Sequence, residues 1–137
     1  MGSLSPWAWS GIFLVVLTAI LAILFLWNRR APTPMDAATA RAAIYDKTIH
    51  AIVDVRDNVE WTSGHLSNAI HIPARTLPST LPQRIPDRRT AILFYCRTGR
   101  RAAAAARVAQ ALGYSNVYYL TDSDYAGLIH RVKILTV

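Results

Sequence analysis

Cysteine is nearly absent: Cys96 stands alone among 137 residues. The chain can close no intramolecular disulfide and run no internal thiol relay, and no Cys/His spacing has the form of a structural zinc site. The four histidines, His50, His65, His71 and His130, are scattered, so neither a metal nor a cofactor is expected. Acidic residues are scarce too, 8 against 15 Lys plus Arg, a balance that favours anionic partners. Nucleic acid is not expected among them, because the arginines form no long stripe with interleaved aromatics and no helix-turn-helix, zinc-finger or RRM signature occurs. Internal repeats are missing, and the alanine run at 102–106 requires only that alanine is the best helix former.

Charge is missing altogether from "WAWSGIFLVVLTAILAILFLW", residues 7–27. As a helix rising ~1.5 Å per residue, this run roughly matches the hydrocarbon thickness of a bilayer. Trp7 and Trp27 at its ends fit the interfacial aromatic belt. A signal peptide would have a basic n-region and a shorter apolar stretch, whereas "MGSLSP" has no basic side chain. The expected organisation is a short tail (1–6), a transmembrane helix (7–27), a linker (28–33) and one domain (34–137). Arg29 and Arg30, as flanking cations retained inside, place the N-terminus outside and the domain in the cytoplasm. With those two set aside the domain keeps a net charge of +5, which draws it toward anionic lipid and anionic substrates.

Within the domain, "APTPMD" reads as an extended linker, and "MDAATARAAIY" as a helix capped by Thr33 or Asp36. "HAIVDVR" is a compact β-branched run, the pattern of a strand buried on both faces of a parallel sheet. "DNVEWTSG" predicts one to two helical turns closed by Gly64, and "NAIHIP" a short strand ended by Pro73. The three prolines of "TLPSTLPQRIPDRRT" predict a loop with at most one helical turn. "AILFY" is a strand that feeds through "CRTG" into the helix "RRAAAAARVAQALG", with Gly113 past its end, and "NVYYL" is a further strand. Strand, loop, helix, strand is a βαβ unit. In open α/β sheets sites lie beyond the carboxyl ends of the strands, where Cys96 falls.

A cysteine at a strand end that opens a helix faces converging backbone amides and the positive end of the helix dipole. Arg97, Arg100 and Arg101 add positive charge. Both effects favour the ionised, nucleophilic sulfur over a buried structural thiol. Gly99 suits a loop that curls around one atom.

Two stretches, "IVDVRDNVEWTSGHLSNAIHIP" and "LFYCRTGRRAAAAARVAQALGY", together resemble the rhodanese domain of single-domain sulfurtransferases, over about residues 34–128. The matching positions are Asp54, Val55 and Arg56; Glu60 and Trp61; Gly64 and His65; Ile72 and Pro73; and Cys96, Arg97, Thr98, Gly99 and Arg101. The resemblance implies an α/β fold with a central parallel sheet flanked by helices. It also implies a Cys96 persulfide that takes sulfane sulfur from an anionic donor such as thiosulfate and yields it to an external thiol or cyanide acceptor. Arg97, Thr98, Gly99, Arg100, Arg101 and Ala102 would bind the donor, with Arg101, Arg97 and Arg100 recruiting its charge. Asp54, Arg56, Glu60 and His65 would be scaffold, with Glu60 set to pair with Arg56.

Ala102 stands where such proteins commonly carry Ser. Ser67 and Asn68 replace Pro-Gly, and "LTDSDYAGLIHRVKILTV" replaces the usual Leu-x-Gly-Gly segment. Phosphatases and arsenate reductases of related fold use Cys-x5-Arg. Here that position is Ala102 and Arg101 comes one residue early, giving a loop for a single sulfur. The competing expectation is a low-turnover, membrane-tethered interaction module.

Overall fold

The computed structural model describes residues 6–27, 31–121 and 134–135, with side-chain exposure for 10–26 and 31–121. The chain divides into two compact units, Met1–Arg30 and Ala31–Val137. The first carries helix α1, Pro6–Trp27, whose described large side chains, among them Phe13, Leu14 and Leu26, are exposed. Among the described residues no helix is long and apolar enough to cross a membrane. The span expected at 7–27 is therefore not supported by the fold.

The second unit is built on a parallel five-stranded sheet of order β1-β6-β5-β2-β4, comprising β1 (Thr33–Met35), β2 (Ala51–Asp54), β4 (Ala69–His71), β5 (Ile92–Tyr95) and β6 (Val117–Leu120). The central strands β2 and β5 are buried along their whole length, as their unbroken apolar runs require of a sheet covered on both faces. Side chains alternate between two cores. Val53, Val55, Phe94 and Cys96 face Leu77, Leu81, Ala102 and Ala106 on one side. Ile52, Leu93 and Tyr95 meet Ala37, Ala40 and Leu120 on the other. The first side is covered by α4 (Leu77–Arg84) and α5 (Arg100–Ala111), the second by α2 (Ala37–Tyr45). A short helix α3 (Asn58–Thr62) follows β2, and β3 (His65–Leu66) pairs antiparallel with β7 (Ile134–Leu135).

Local signals place most of these elements. Asp36 caps α2 by accepting the Thr39 amide at 2.7 Å. Asn68 occupies the left-handed region at φ 64, a conformation that asparagine tolerates after glycine. Two expectations need correction. The "linker" at Thr33–Met35 is a strand pairing with β6, and Pro34 is accommodated because β1 lies on the sheet edge. The proline-rich stretch is a 3-10 turn (Ala74–Thr76) followed by the eight-residue α4. Pro78 sits in the first turn of α4, where its missing N–H costs nothing. Leu77, Leu81 and Ile85, four apart, are buried as one stripe, and that burial outweighs Pro82 inside the helix. The "LTDSDYAGLIHRVKILTV" segment lies outside the described residues apart from its start at Leu120–Thr121 and Ile134–Leu135.

Candidate active site

Cys96 directly follows β5 and is buried, only 1 % exposed. Beyond it the chain turns at Gly99, whose φ of 73 places it in the left-handed region, and enters α5. Among the described residues no side chain caps α5, unlike α2 and α3, so its first amides are left for other acceptors. One of them, the Ala102 N–H, donates to Cys96 Sγ at 3.4 Å. Ala102 is itself buried, whereas Arg97, Thr98 and Arg100 are exposed. Among the described residues neither Arg97 nor Arg100 pairs with a carboxylate. Their guanidiniums stand in water at the loop, with Arg100 at the start of α5.

Arg101 is placed differently from its neighbours. Its Nη1 donates to Glu60 Oε2 at 2.6 Å and its Nη2 to Glu60 Oε1 at 2.9 Å, a two-pronged pair of the strong, geometrically specific kind. Glu60 also belongs to the capping box of α3: its amide donates to Asp57 Oδ1 at 2.9 Å, and its Oε2 accepts the Asp57 amide at 3.3 Å. The Arg101 guanidinium, with help from the Asp57 amide and against partial burial, lowers the Glu60 carboxyl from 4.5 to about 2. Glu60 in turn pushes the Arg101 guanidinium further up.

The expected Glu60–Arg56 pair does not form. Arg56 instead clasps Asp54, with Nε at 3.0 and 2.9 Å from the two carboxylate oxygens and Nη2 at 2.6 Å from Oδ2. The Arg56 amide adds a bond to Asp54 Oδ1 at 2.9 Å, and Nη2 reaches the Gly64 carbonyl at 2.7 Å. Both residues are buried. Two residues apart at a strand end, they share a face, and that proximity favours Asp54 over a carboxylate in the next helix.

Tyr95, which sequence reasoning passed over, lies beneath this pair. Its hydroxyl accepts the Leu66 amide at 3.1 Å and its ring lies 5.7 Å from the Arg56 guanidinium. Burial, then the nearby Asp54 charge, push its hydroxyl far up, so it stays neutral. His65, expected as packed scaffold, stacks on Trp61 at 3.4 Å between ring centroids, and its Nδ1 lies 3.1 Å from the Trp61 carbonyl. His71 stacks on the same indole at 4.7 Å, with Nε2 3.0 Å from the Arg56 carbonyl. The pairing of an aromatic with the histidine four residues on was the only local trace of this cluster.

A family model for the Rhodanese-like domain matches residues 36–124. The chain is 34% identical over 82 residues to a tRNA uridine(34) hydroxylase of Erwinia tasmaniensis, covering 57% of this chain and 23% of that protein. It is 39% identical over 71 residues to the probable adenylyltransferase/sulfurtransferase MoeZ of Mycobacterium tuberculosis, covering 51% and 18%. The chain thus spans about a fifth of the length of these curated relatives. Among solved structures, a human single-domain sulfurtransferase, TSTD1, aligns with a TM-score of 0.61 at 21% identity, over 76% of this chain and 99% of that one.

Proposed function

The chain belongs to the rhodanese-like family, and from that premise we propose that it is a sulfurtransferase working through a Cys96 persulfide. The observation that carries the reading is the cysteine itself: Sγ sits at the mouth of an uncapped helix and accepts its Ala102 amide. An anion on that sulfur, thiolate or persulfide, is stabilised there by a preorganised donor. With thiosulfate as donor, the Cys96 thiolate attacks the sulfane sulfur, the S–S bond breaks and sulfite leaves with the electron pair. Cyanide then attacks the outer sulfur of the persulfide, thiocyanate departs and the thiolate is restored. A thiol acceptor would instead take the sulfur as its own persulfide. No general base is needed where the sulfur is already ionised. Arg97 and Arg100, exposed and without a carboxylate partner among the described residues, are the cations that draw the donor in. Arg101, committed to Glu60, is not.

Intact mass of the protein after thiosulfate, then after cyanide, tests the reading beside Cys96→Ala. A gain of one sulfur that cyanide removes and the variant never acquires supports it. A wild-type mass unchanged by both thiosulfate and polysulfide overturns it. The near-complete burial of Cys96 favours a second reading, a binding module with little turnover, and that result would select it.

The exposed apolar face of α1, the absence of charge from 7–27 and the arginines at 29 and 30 support a further proposal, that this segment anchors the chain in a bilayer with the domain on the cytoplasmic side. Release of the protein from membranes by alkaline carbonate would refute the anchor. Labelling of a cysteine introduced on the domain surface by an impermeant maleimide added outside would refute the orientation.

A further inference from the structure

The active-site loop is basic except at one point, where α3 brings a carboxylate to it. Electrostatically this is the wrong sign. A negative charge beside a nucleophilic sulfur disfavours the thiolate, and pairing Arg101 with Glu60 removes a cation that the loop would otherwise offer to an anionic donor. The arrangement makes sense as geometry. The start of α5 has a left-handed glycine before it and no side-chain cap, so the turn that carries the Ala102 amide lacks the bracing that Asp36 and Asp57 give their helices. Arg101 is the residue immediately before Ala102, and its guanidinium is held by both prongs. Glu60 is itself fixed by the Asp57 cap, and Asp57 follows Arg56, which the buried Asp54 and the Gly64 carbonyl pin. Two sets of charge-assisted bonds, Asp54–Arg56 and Asp57–Glu60–Arg101, joined by the Arg56–Asp57 peptide, therefore run from the end of β2 to the first turn of α5.

We propose that Glu60 is a positioning residue for Cys96: by gripping Arg101 from α3 it holds the first turn of α5, and with it the Ala102 amide, against the sulfur. The proposal rests on Cys96 being the nucleophile assigned above. It opposes the pure charge effect in sign, and this makes it testable. If Glu60 acts only through its charge, removing it makes the sulfur more reactive; if it positions the amide, removing it makes the sulfur less reactive.

The experiment is alkylation of the full-length protein with iodoacetamide, followed by intact mass from pH 5 to 10. Cys96 is the only cysteine, and Cys96→Ala serves as the blank. Glu60→Ala is expected to slow alkylation at pH 7 by about tenfold, less than the roughly hundredfold of a lost oxyanion donor because the amide is loosened rather than removed, and to move the pH profile upward. Glu60→Gln, whose single carbonyl oxygen can still accept from one Arg101 prong and the Asp57 amide while its NH2 cannot accept from the other prong, should recover part of the rate. Arg101→Lys keeps the cation but loses the fork, and should be slowed as well. The double variant Glu60→Ala/Arg101→Lys should be no slower than the slower single, since one interaction is lost only once.

Alkylation in Glu60→Ala as fast as or faster than in wild type overturns the proposal. So does a lowered melting temperature with an unshifted pH profile, which would mark Glu60 as structural only. Alkylation does not depend on sulfur transfer. A protein that shows the expected alkylation pattern but takes no sulfur from thiosulfate would overturn the function proposed above and leave the role of Glu60 standing.

Discussion

Two ion pairs flank the same strand-to-helix region, and they are built on opposite principles. Asp54–Arg56 joins residues two apart, is buried on both sides and is tied further by a bond from Arg56 to the Gly64 carbonyl. Glu60–Arg101 joins residues 41 apart, and its side chains remain 26% and 39% exposed. A buried pair is costly to desolvate and damaging to break, whereas a half-exposed one contributes little to stability. The first therefore fixes the scaffold, and the second can be spent on orienting a functional loop. Bonds of nearly equal length do different work because their surroundings differ.

The sharpest way to break that contrast is to remove one partner from each pair. Asp54→Ala removes the buried carboxylate that clasps the Arg56 guanidinium, and is expected to cost about 3–5 kcal/mol in urea unfolding. Should Asp54→Ala cost less than ~1 kcal/mol, the buried pair would be no more structural than a surface bridge. Glu60→Ala, by contrast, should cost only about 1 kcal/mol in the same measurement, since an exposed pair and a capping-box contact are lost together. Its main effect should fall on Cys96 reactivity.

The same contrast explains what the sequence could disclose. The strands around Val53 and Phe94, the helix after Gly99 and the Asp36 cap all rest on local pattern, because burial on two faces and capping leave marks within a few residues. The cysteine loop was legible for the same reason: Cys96 to Ala102 is one contiguous run. Glu60–Arg101 was not, because nothing near Glu60 signals a partner 41 positions away, while the helical spacing from Arg56 offered a false one. Thr33–Met35 was hidden likewise. Two prolines read as linker until pairing with β6 gives Pro34 an edge to occupy. In α4 the stripe of Leu77, Leu81 and Ile85 was present in the sequence, but the prolines between them masked its period.

pH probes the Glu60–Arg101 pair directly. The Glu60 carboxyl drops from 4.5 to about 2 on folding, so the folded state favours its ionised form. Stability from this source is complete above pH 4.5 and is lost as the pH falls toward 2, where the carboxylate takes up its proton in both states. In urea unfolding at fixed ionic strength, the advantage of wild type over Glu60→Gln should be constant from pH 7 to 5, shrink between 4.5 and 2, and disappear below that. A difference that stayed constant down to pH 2 would mean that the charge on Glu60 contributes nothing and that its hydrogen-bonding shape alone matters.

The smallest effect belongs to a third pair, Asp87–Arg89, which supplies the baseline. Its contact is long, 3.5 Å, with side chains 87% and 59% exposed on the Arg and Asp sides. Asp87 is lowered chiefly by the Arg89 backbone amide, which it accepts at 2.9 Å. What the carboxylate stabilises is thus a turn rather than an ion pair. Asp87→Asn keeps an oxygen for that amide and deletes the charge, so unfolding should shift least of the three pairs and Cys96 alkylation not at all. Asp87→Ala removes the turn bond as well and should cost more than Asp87→Asn. Equal losses in the two variants would assign the contribution to the charge, and the ranking of the three pairs by burial would then fail at its exposed end.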